Sequence, residues 1–527
     1  MNRAAALFAS FAAAALVAHA TEAEAGGLTD HGAELYEAPE SVVDFTGYLR
    51  TRGSLLHNLD LDRGPTPSGQ LLYPVSLGDP TTQTLSLVDM RLRTDLGLYA
   101  PDGGMAVKAR VDWLDNVAFG SQPEGIPSAS SSQRSDLPFI RIRRVWAELL
   151  TPFGLLSIGR MGNDWGLGIV GNGGHCSDCD SSDGVDRIAF TLPLAHHLFA
   201  FAYDLSATGP FVADRTDRRV IAFEPSAQVH SLTFAFARYR GPEARVRRTR
   251  AGKITPEYGS FVAYRFQNAD VPASYLPIAN PQPLSTGQVM SRGYEALALD
   301  AWLRLEGPGF RIEAEGAYLH ANVEQASLVP GVLYRAPVTS NQLGFALESE
   351  FGDVEGYFRA GLDAGYASGD GAPGFGAYPK VGAAPPVPGD LDGAQANPPF
   401  DAEVNNFRFH PDYRVDRILF REIIGAVTDA VYVRPHLRYD LVRLPHSKLA
   451  VSVATIVSFA VEAGSTPGGA APLGVEIDPT IRYVHDAGFE AALEQATLFP
   501  LAGLDNPQLG LGAKPAQLWR MRLQFGF

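Results

Sequence analysis

The stretch that decides the fold is Gln517-Leu518-Trp519-Arg520-Met521-Arg522-Leu523-Gln524-Phe525-Gly526-Phe527. Its side chains alternate between two faces. One face carries Trp519, Met521, Leu523, Phe525 and Phe527, and the other carries Arg520, Arg522 and Gln524. A period of two is the pattern of a β-strand whose faces meet different surroundings. A tilted strand crosses a bilayer with about 9–11 residues, so the stretch predicts a strand of a membrane barrel.

The same alternation recurs upstream from Val43 onward. It is clear at Val107–Trp113, Val354–Tyr366, Val431–Leu441 and Lys448–Val461. Many of these runs exceed the about 5–6 residues of an average strand in a soluble protein. Short turns alternate with long connections, as in barrels with turns at one rim and external loops at the other. We therefore predict an all-β fold, a transmembrane antiparallel β-barrel of about 18 strands (range 16–20) with long external loops.

One region disturbs the alternation of turns and loops. The strands predicted at Tyr258–Gln267 and Tyr294–Glu306 would run in the same direction, which consecutive strands of a meander cannot do. Either a further strand lies between Gly241 and Ser291, or one strand has been divided in two. Within this region, Gly241–Glu257 is predicted to be a long external loop. A run of basic residues extends through this loop, and it could meet anionic headgroups of lipopolysaccharide or remain a solvated loop.

The amino-terminal region has the pattern of an export signal. Arg3 precedes an uncharged apolar run from Ala4 to Val17, and Ala18-His19-Ala20 fits a small-x-small cleavage site. The predicted segments are a signal peptide at 1–20, a flexible periplasmic lead-in at 21–41 and an outer-membrane barrel at 42–527. No later apolar stretch reaches the roughly 20 residues of a membrane helix, so a membrane location requires a closed barrel. The predicted location is the outer membrane of a Gram-negative bacterium.

Charge and motifs narrow the class of function. The formal net charge is −15, whereas proteins that bind nucleic acid carry a basic footprint. Nucleic acid is therefore not a predicted partner. The sequence has neither a Gly-x-Ser-x-Gly elbow nor a His–Glu metal helix motif, so we predict that the protein is not an enzyme.

The only two cysteines, Cys176 and Cys179, are three positions apart in a long connection. A redox pair of this spacing normally follows a strand in a βαβ unit, and a zinc site would need two further ligands. Neither context is present. The plainest interpretation is a local disulfide that tightens a loop of an exported protein.

Four carboxylates lie close to the cysteines, at Asp178, Asp180, Asp183 and Asp186, with Gly184 between the last two. Calcium takes six to eight hard oxygens, and its loops often alternate carboxylates with a glycine at the bend. Calcium is therefore the one candidate cofactor, although the terminal glutamate of an EF-hand is missing. The alternative is a solvated acidic loop.

A second distinctive region lies between Asn406 and Leu441. Its apolar residues Val415, Ile418, Leu419, Ile423 and Val427 recur at helical spacing. A short helix at the end of a long loop is predicted, since long loops with internal structure are usually functional. The loop either folds inward and narrows a channel or forms an external cap.

Three motifs carry a resemblance to known barrels. Gly159-Arg160, after a Phe-Gly turn, resembles the strand end of bacterial porins. Asp363–Asp370 and Tyr413–Tyr439 resemble the late strands of alginate-export barrels. With the Cys176–Asp186 loop, the chain resembles an uncharacterised family of outer-membrane β-barrel proteins of this porin-like and alginate-export-like kind. The resemblance covers the second half and the third long loop, and it implies an outer-membrane channel without a defined substrate.

The alternating last strand, which ends in an aromatic residue, resembles the assembly signal of outer-membrane barrels. The residues of this signal would be Trp519, Met521, Leu523, Phe525 and Phe527. The partners this implies are the barrel assembly machinery and the lipids and lipopolysaccharide of the outer membrane. The sequence leaves the oligomeric state of the protein open, with a homo-trimer as one alternative.

The basic residues on the non-lipid face are the candidates for lining the lumen. They are Arg91, Arg93, Lys108, Arg110, Arg160, Arg434, Arg438, Arg520 and Arg522. Rings of such residues select anions in channels. The predicted function is a porin-like channel for passive or weakly selective passage of small or anionic solutes. The alternatives are an exporter of an anionic polysaccharide and a non-conducting structural or adhesive barrel.

Overall fold

The computed structural model describes residues 42–76, 78, 83–100, 104–119, 121–122, 133–134, 140–206, 228–270, 289–327, 331–353, 356–377, 386–392, 396–398 and 400–527. The predicted signal peptide at 1–20 and lead-in at 21–41 lie outside the described residues.

The described chain forms one large antiparallel sheet of 18 long strands. They are β1 (Val43–His57), β2 (Thr84–Tyr99), β3 (Met105–Asp112), β4 (Arg141–Thr151), β5 (Gly154–Gly162), β6 (Gly184–Leu194), β7 (His197–Ser206), β8 (Val229–Arg238), β9 (Thr255–Asp270), β10 (Met290–Gly307), β11 (Phe310–Val323), β12 (Val338–Phe351), β13 (Phe358–Ala367), β14 (Ala430–Leu444), β15 (Ser447–Ala460), β16 (Pro472–His485), β17 (Phe489–Pro500) and β18 (Ala516–Gly526). A two-residue pairing of Val117–Ala118 extends the sheet beside β2.

Each strand pairs with the strands before and after it, and the first strand pairs with the last. β1 takes β2 on one side and β18 on the other, with Tyr48 opposite Gly526 and His57 opposite Gln517. The backbones of Gly47 and Phe527 exchange two hydrogen bonds of 2.9 and 3.0 Å at this seam. The sheet is therefore a closed barrel without free edges, and the predicted antiparallel barrel of 18 strands is confirmed.

The described helices are short. They are α1 (Pro242–Arg250), a π-helical turn at Leu419–Ile423 and 3-10 turns at Ala463–Ser465 and Ala502–Leu504. No helix in the described part of the chain is long and apolar enough to cross a membrane.

The two rims of the barrel differ in the length of their connections. We call the rim where β1 begins the turn rim and the opposite one the loop rim. The turn rim carries tight turns such as Thr151–Gly154, Gly307–Phe310 and His485–Phe489, whereas the loop rim carries connections such as 163–183 and 368–429. This is the asymmetry of outer-membrane barrels.

One connection lies at the rim opposite to the one predicted for it. α1 lies between β8 and β9, and alternation of the strands puts it at the turn rim. The prediction of an external loop at Gly241–Glu257 was therefore wrong. The reason is that β7 and β8 are joined at the loop rim through residues 207–228, a connection that the sequence pattern did not show.

The two faces of the barrel wall have opposite character. In β18, Trp519 and Phe525 are 48% and 49% exposed on the outer face, while Arg520 and Arg522 are 3% and 6% exposed on the inner face. Outward apolar residues recur around the barrel, among them Phe201, Leu299, Leu343, Leu437 and Ile481. Such an apolar outer wall suits the hydrocarbon core of a bilayer. A closed barrel also satisfies its backbone hydrogen bonds internally, as a membrane requires.

The long connection between β13 and β14, residues 368–429, folds into the barrel. We call it the lumenal loop. Its Phe407, Phe409, Ile418 and Ile423 are almost fully buried and belong to one apolar cluster with wall residues such as Tyr432. The sequence left open whether this loop folds inward or caps the barrel from outside, and it folds inward. The apolar residues that recur at helical spacing form only a single π-helical turn, Leu419–Ile423.

Candidate functional site

A second loop also enters the barrel and carries both cysteines. It joins β5 to β6 through residues 163–183, and we call it the disulfide loop. A disulfide joins Cys176 to Cys179. Arg50 and Arg93, from β1 and β2, donate hydrogen bonds to its backbone carbonyls, at 3.1 Å to Ser177 and 2.8 Å to Gly174. The turn closed by the disulfide therefore lies against the inner wall at the barrel seam.

The carboxylates of this turn lie between arginines from two directions. From the wall, Arg52 Nη1 is 2.9 Å from Asp178 Oδ1 and 3.1 Å from Asp180 Oδ2. From the lumenal loop, Arg421 pairs with Asp178, and Arg414 Nη2 is 3.2 Å from Asp180 Oδ2. The disulfide loop is thus held between the barrel wall and the lumenal loop.

The charges of this cluster stabilise one another. Burial alone would raise the pKa of Asp178, yet Arg421, Arg520 and Arg52 hold it well below its usual range. The pKa of Asp180 is lowered in the same way, against burial, by Arg52 and Arg421. Both carboxylates are therefore ionised at neutral pH, and removal of one partner from such a buried pair costs about 3–5 kcal/mol.

The four carboxylates proposed for calcium do not converge. Asp183 accepts a backbone N–H from Asn172 at 3.3 Å, and Asp186 pairs with Arg160 at 2.8 Å. No group of three or more His, Cys, Asp or Glu within the described ranges could hold a metal ion. The four therefore do not form the predicted calcium loop. The guanidinium groups of Arg52, Arg414 and Arg421 offset the repulsion between Asp178 and Asp180.

Eight of the nine basic candidates face the barrel interior, and each has a carboxylate partner there. The pairs are Arg91–Asp115 (3.0 Å), Arg93–Asp112 (2.6 Å), Lys108–Glu148 (3.1 Å), Arg110–Asp95 (2.6 Å), Arg434–Asp363 (2.5 Å), Arg438–Asp440 (3.4 Å), Arg520–Glu422 (2.9 Å) and Arg522–Glu490 (2.8 Å). The interior is thus charged but largely self-neutralised.

Arg160 lies on the other face of the wall. It is opposite Val145, whose side chain is exposed on the outer surface, and its own side chain is 55% exposed beside Asp186. Cross-strand partners share a face of the sheet. The prediction that Arg160 lines the lumen was therefore wrong, because the residue has the same parity as the outward-facing Ile158.

The sequence reasoning missed several arginines that contact the disulfide loop. Arg50 and Arg144 are fully buried, and Arg144 donates to the carbonyl of Gly173. Arg50 and Arg52 were detectable, because they alternate in β1 with the outward-facing Leu49. Strand alternation gives no such indication for Arg414 and Arg421, since both residues lie in a loop.

The other end of the disulfide loop reaches the opposite wall. The indole N–H of Trp165 donates to Asp300 Oδ1 on β10 at 2.7 Å, and Gly168 N donates to Glu315 Oε2 on β11 at 2.9 Å. Gly166 has φ +56°, and a Cβ there would lie 2.5 Å from Glu315 Oε2, so the position favours glycine. The loop therefore crosses the barrel from one wall to the other.

A cavity of about 840 Å³ lies between the disulfide loop and the turn rim. Its lining includes Trp165, Tyr413, Arg414, Arg311, Glu350 and Arg359, together with the tight turns at Gly307–Gly309 and Gly352–Asp353. The cavity has the size and the mixed apolar and polar lining of a site for small molecules.

Comparison with known proteins adds distant structural likenesses. The chain matches no family model and no curated protein. Solved structures similar to it include Pseudomonas aeruginosa OpdK with vanillate (11% identity, TM-score 0.43, 92% of this chain and 98% of that one). They also include P. aeruginosa OccK2 (OpdF), with 10% identity, TM-score 0.44 and coverage of 92% and 98%, and an anion-selective porin from Comamonas acidovorans, with 9% identity, TM-score 0.39 and coverage of 92% and 99%. At such low identity and TM-score, nothing about this chain's solutes follows from them.

The class of the protein follows from its own geometry. A closed barrel of 18 strands, with an apolar outer wall, a charged interior and long loops at one rim, is a transmembrane β-barrel. Short turns at one rim and long loops at the other give it the architecture of outer-membrane-type barrels.

Proposed function

We propose that the protein is an outer-membrane channel for passive, weakly selective passage of small polar solutes. The observation that carries this proposal is the cavity of about 840 Å³ that extends from the disulfide loop to the turn rim inside a closed barrel. A barrel of this size leaves an aqueous interior unless it is plugged. The two inward loops narrow that interior and would limit the size of a solute.

Weak selectivity is supported by the charges along the cavity. Arg311 lies 2.8 Å from Glu313 and 3.3 Å from Glu348, and Arg359 lies 2.8 Å from Glu350. Paired charges create a weaker field than a ring of one sign. A strong preference for anions would need free guanidinium groups, whereas the arginines of β1, β2 and β18 are paired with carboxylates or bound to the disulfide loop.

A non-conducting structural barrel is the second candidate, favoured by the loop-rim half of the interior. There the lumenal loop packs its aromatic residues into the apolar cluster. Above it, the loops after β1 and β17 join each other: Asn506 Nδ2 donates to the carbonyls of Arg63 and Pro65 at 3.0 Å, and Asn58 Nδ2 donates to that of Pro515 at 2.9 Å.

Conductance of the purified, folded protein in a planar bilayer separates the two candidates. The channel proposal expects discrete steps and a small reversal potential in a salt gradient. Arg52→Gln removes wall contacts of the disulfide loop, so we expect larger or more variable steps from it. Arg160→Gln, on the outer face, is the matched control and should conduct like the natural protein. Absence of conductance from both the natural protein and Arg52→Gln would favour the structural barrel.

A further inference from the structure

The disulfide of the disulfide loop borders the cavity instead of being enclosed by protein. Cys176 and Cys179 both belong to the lining of the cavity of about 840 Å³, which extends to the turns at Gly307–Gly309 and Gly352–Asp353. Cys176 is partly exposed, whereas Cys179 is only 1% exposed. A small molecule that enters the cavity from the turn rim can therefore reach Cys176 more easily than Cys179.

The lumenal loop covers the residues that follow the disulfide. The carboxylate of Asp412 accepts the backbone N–H groups of Asp180 at 2.9 Å and of Ser181 at 3.2 Å. The cavity, in contrast, leads directly to the cysteines. Access to a sulfur atom is a condition for thiol–disulfide exchange, and cysteines enclosed in protein are inert. The cavity supplies this access from the turn rim.

The surroundings of the pair favour Cys179 as the leaving group. Two guanidinium groups of the inner wall lie against this residue: Arg91 Nη1 donates to its carbonyl at 2.5 Å, and Arg50 Nη1 does so at 3.5 Å. Both arginines are fully buried. Positive charge stabilises a thiolate, and a stabilised thiolate leaves faster. The more exposed cysteine is thus the point of attack, and the buried one carries the charge that attack releases.

The disulfide closes a turn that joins three parts of the barrel. The carbonyl of Ser177 accepts a hydrogen bond from Arg50 of β1 at 3.1 Å, and its hydroxyl accepts one from Arg522 of β18 at 2.6 Å. Asp178, the next residue, pairs with Arg421 of the lumenal loop. Opening of the disulfide removes the covalent restraint on this turn. It therefore loosens the junction through which the two inward loops narrow the interior.

We propose that the disulfide is a thiol-reactive site at the inner end of the cavity, and that its reduction by a small thiol widens the channel. The second part rests on the proposed channel function. The thiolate of the entering molecule attacks Sγ of Cys176, the S–S bond breaks, and Cys179 leaves as a thiolate that takes up a proton. A second thiolate attacks the entering molecule's sulfur in the mixed disulfide and releases Cys176. The protein disulfide becomes a dithiol, and two small thiols are oxidised to one disulfide.

Alkylation of the released thiols, followed by mass spectrometry, tests the reactive site in the full, folded protein. 2-Mercaptoethanol should reduce the pair without denaturant, and a thiol-bearing polyethylene glycol too large for the cavity should react at least about tenfold more slowly. Thr249→Trp adds bulk to the cavity lining on α1 and should slow 2-mercaptoethanol. Ala487→Trp, in the exposed turn between β16 and β17 at the same rim, is the matched control and should react like the natural protein.

Single-cysteine variants compare access to the two sulfur atoms. With the oxidised dimer of 2-mercaptoethanol as the probe, Cys176 in Cys179→Ser should form the mixed disulfide faster than Cys179 in Cys176→Ser. Faster reaction at Cys179 would overturn the proposed site. Equal rates for the small and the large thiol would do so as well, as would failure of 2-mercaptoethanol to react with the folded protein.

Conductance in a planar bilayer tests the widening. 2-Mercaptoethanol should increase the single-channel conductance of the natural protein and have no effect on the combined variant Cys176→Ser with Cys179→Ser. Reduction detected by mass without a change in conductance would overturn the widening. Absence of conductance both before and after reduction would overturn the channel function and the widening together, whereas the alkylation rates decide the reactive site independently.

Discussion

Trp165 and Asp300 are 135 positions apart in the sequence, and the indole N–H of Trp165 donates to the Asp300 carboxylate at 2.7 Å. This bond attaches one end of the disulfide loop to β10, while Arg52 binds Asp178 and Asp180 at the other end. The loop is thus fixed to opposite walls of the barrel, and its position depends on both attachments.

Replacement of Trp165 tests the first attachment. Trp165→Phe keeps an aromatic ring against Phe261, 5.3 Å away between centroids, but leaves Asp300 without its indole donor. Loss of a partner for a buried polar group costs about 1–3 kcal/mol. We expect a lower unfolding midpoint and noisier bilayer currents. Trp519→Phe, on the lipid-facing surface, should change neither measurement, and an unchanged Trp165→Phe protein would contradict the role of this bond.

Replacement of Arg421 tests the attachment to the lumenal loop. Arg421→Gln leaves the buried Asp178 without its closest partner, so we expect a loss of about 3–5 kcal/mol in the free energy of unfolding. Denaturant titration monitored by tryptophan fluorescence measures it. Arg160→Gln removes an exposed pair and should cost no more than about 1 kcal/mol. If the two substitutions lowered the free energy of unfolding equally, the interior pair would stabilise the protein no more than the exposed pair does.

Reduction of the Cys176–Cys179 disulfide should act locally. The bond closes a loop with a sequence separation of only 3, and the barrel strands are paired independently of it. We expect a reductant, or Cys176→Ser with Cys179→Ser, to increase hydrogen exchange in residues 163–183 while the strands keep their protection. Loss of protection throughout the barrel would contradict this local role.

The lumenal loop should be held more firmly at acidic pH. Burial raises the pKa of Asp416 to about 7 despite the backbone N–H of Phe420 that its carboxylate accepts, and Asp478 raises it further. Because the folded pKa lies above the unfolded value, the folded state binds more protons, and stability falls as pH rises toward about 7. Asp416→Asn keeps an acceptor and should flatten the pH dependence of the melting temperature between pH values of about 5 and 8. Asp486→Asn, in an exposed turn, should leave that dependence unchanged.

Much of the architecture could be predicted from alternation alone. The two faces of β18 and the sorting of short and long connections were sufficient for a barrel of about 18 strands, within a range of 16–20, because membrane and interior impose opposite polarity on successive residues. Arg160 was assigned to the lumen although Ile158, two positions before it, has the same parity and is an apolar residue of the outer face. The ion pairs between Asp178 and Arg421 join residues 243 positions apart, and no local pattern encodes such contacts.

The position of the disulfide loop also bears on how the barrel is completed. Asp178 contacts Arg52 of the first strand and lies 3.7 Å from Arg520 of the last. These arginines are neighbours only across the seam, where Arg52 is opposite Arg522 and Ser54 is opposite Arg520. The loop can therefore make its full set of contacts only after β1 and β18 have paired. It therefore holds the first and last strands together from the inside of the barrel and reinforces the seam.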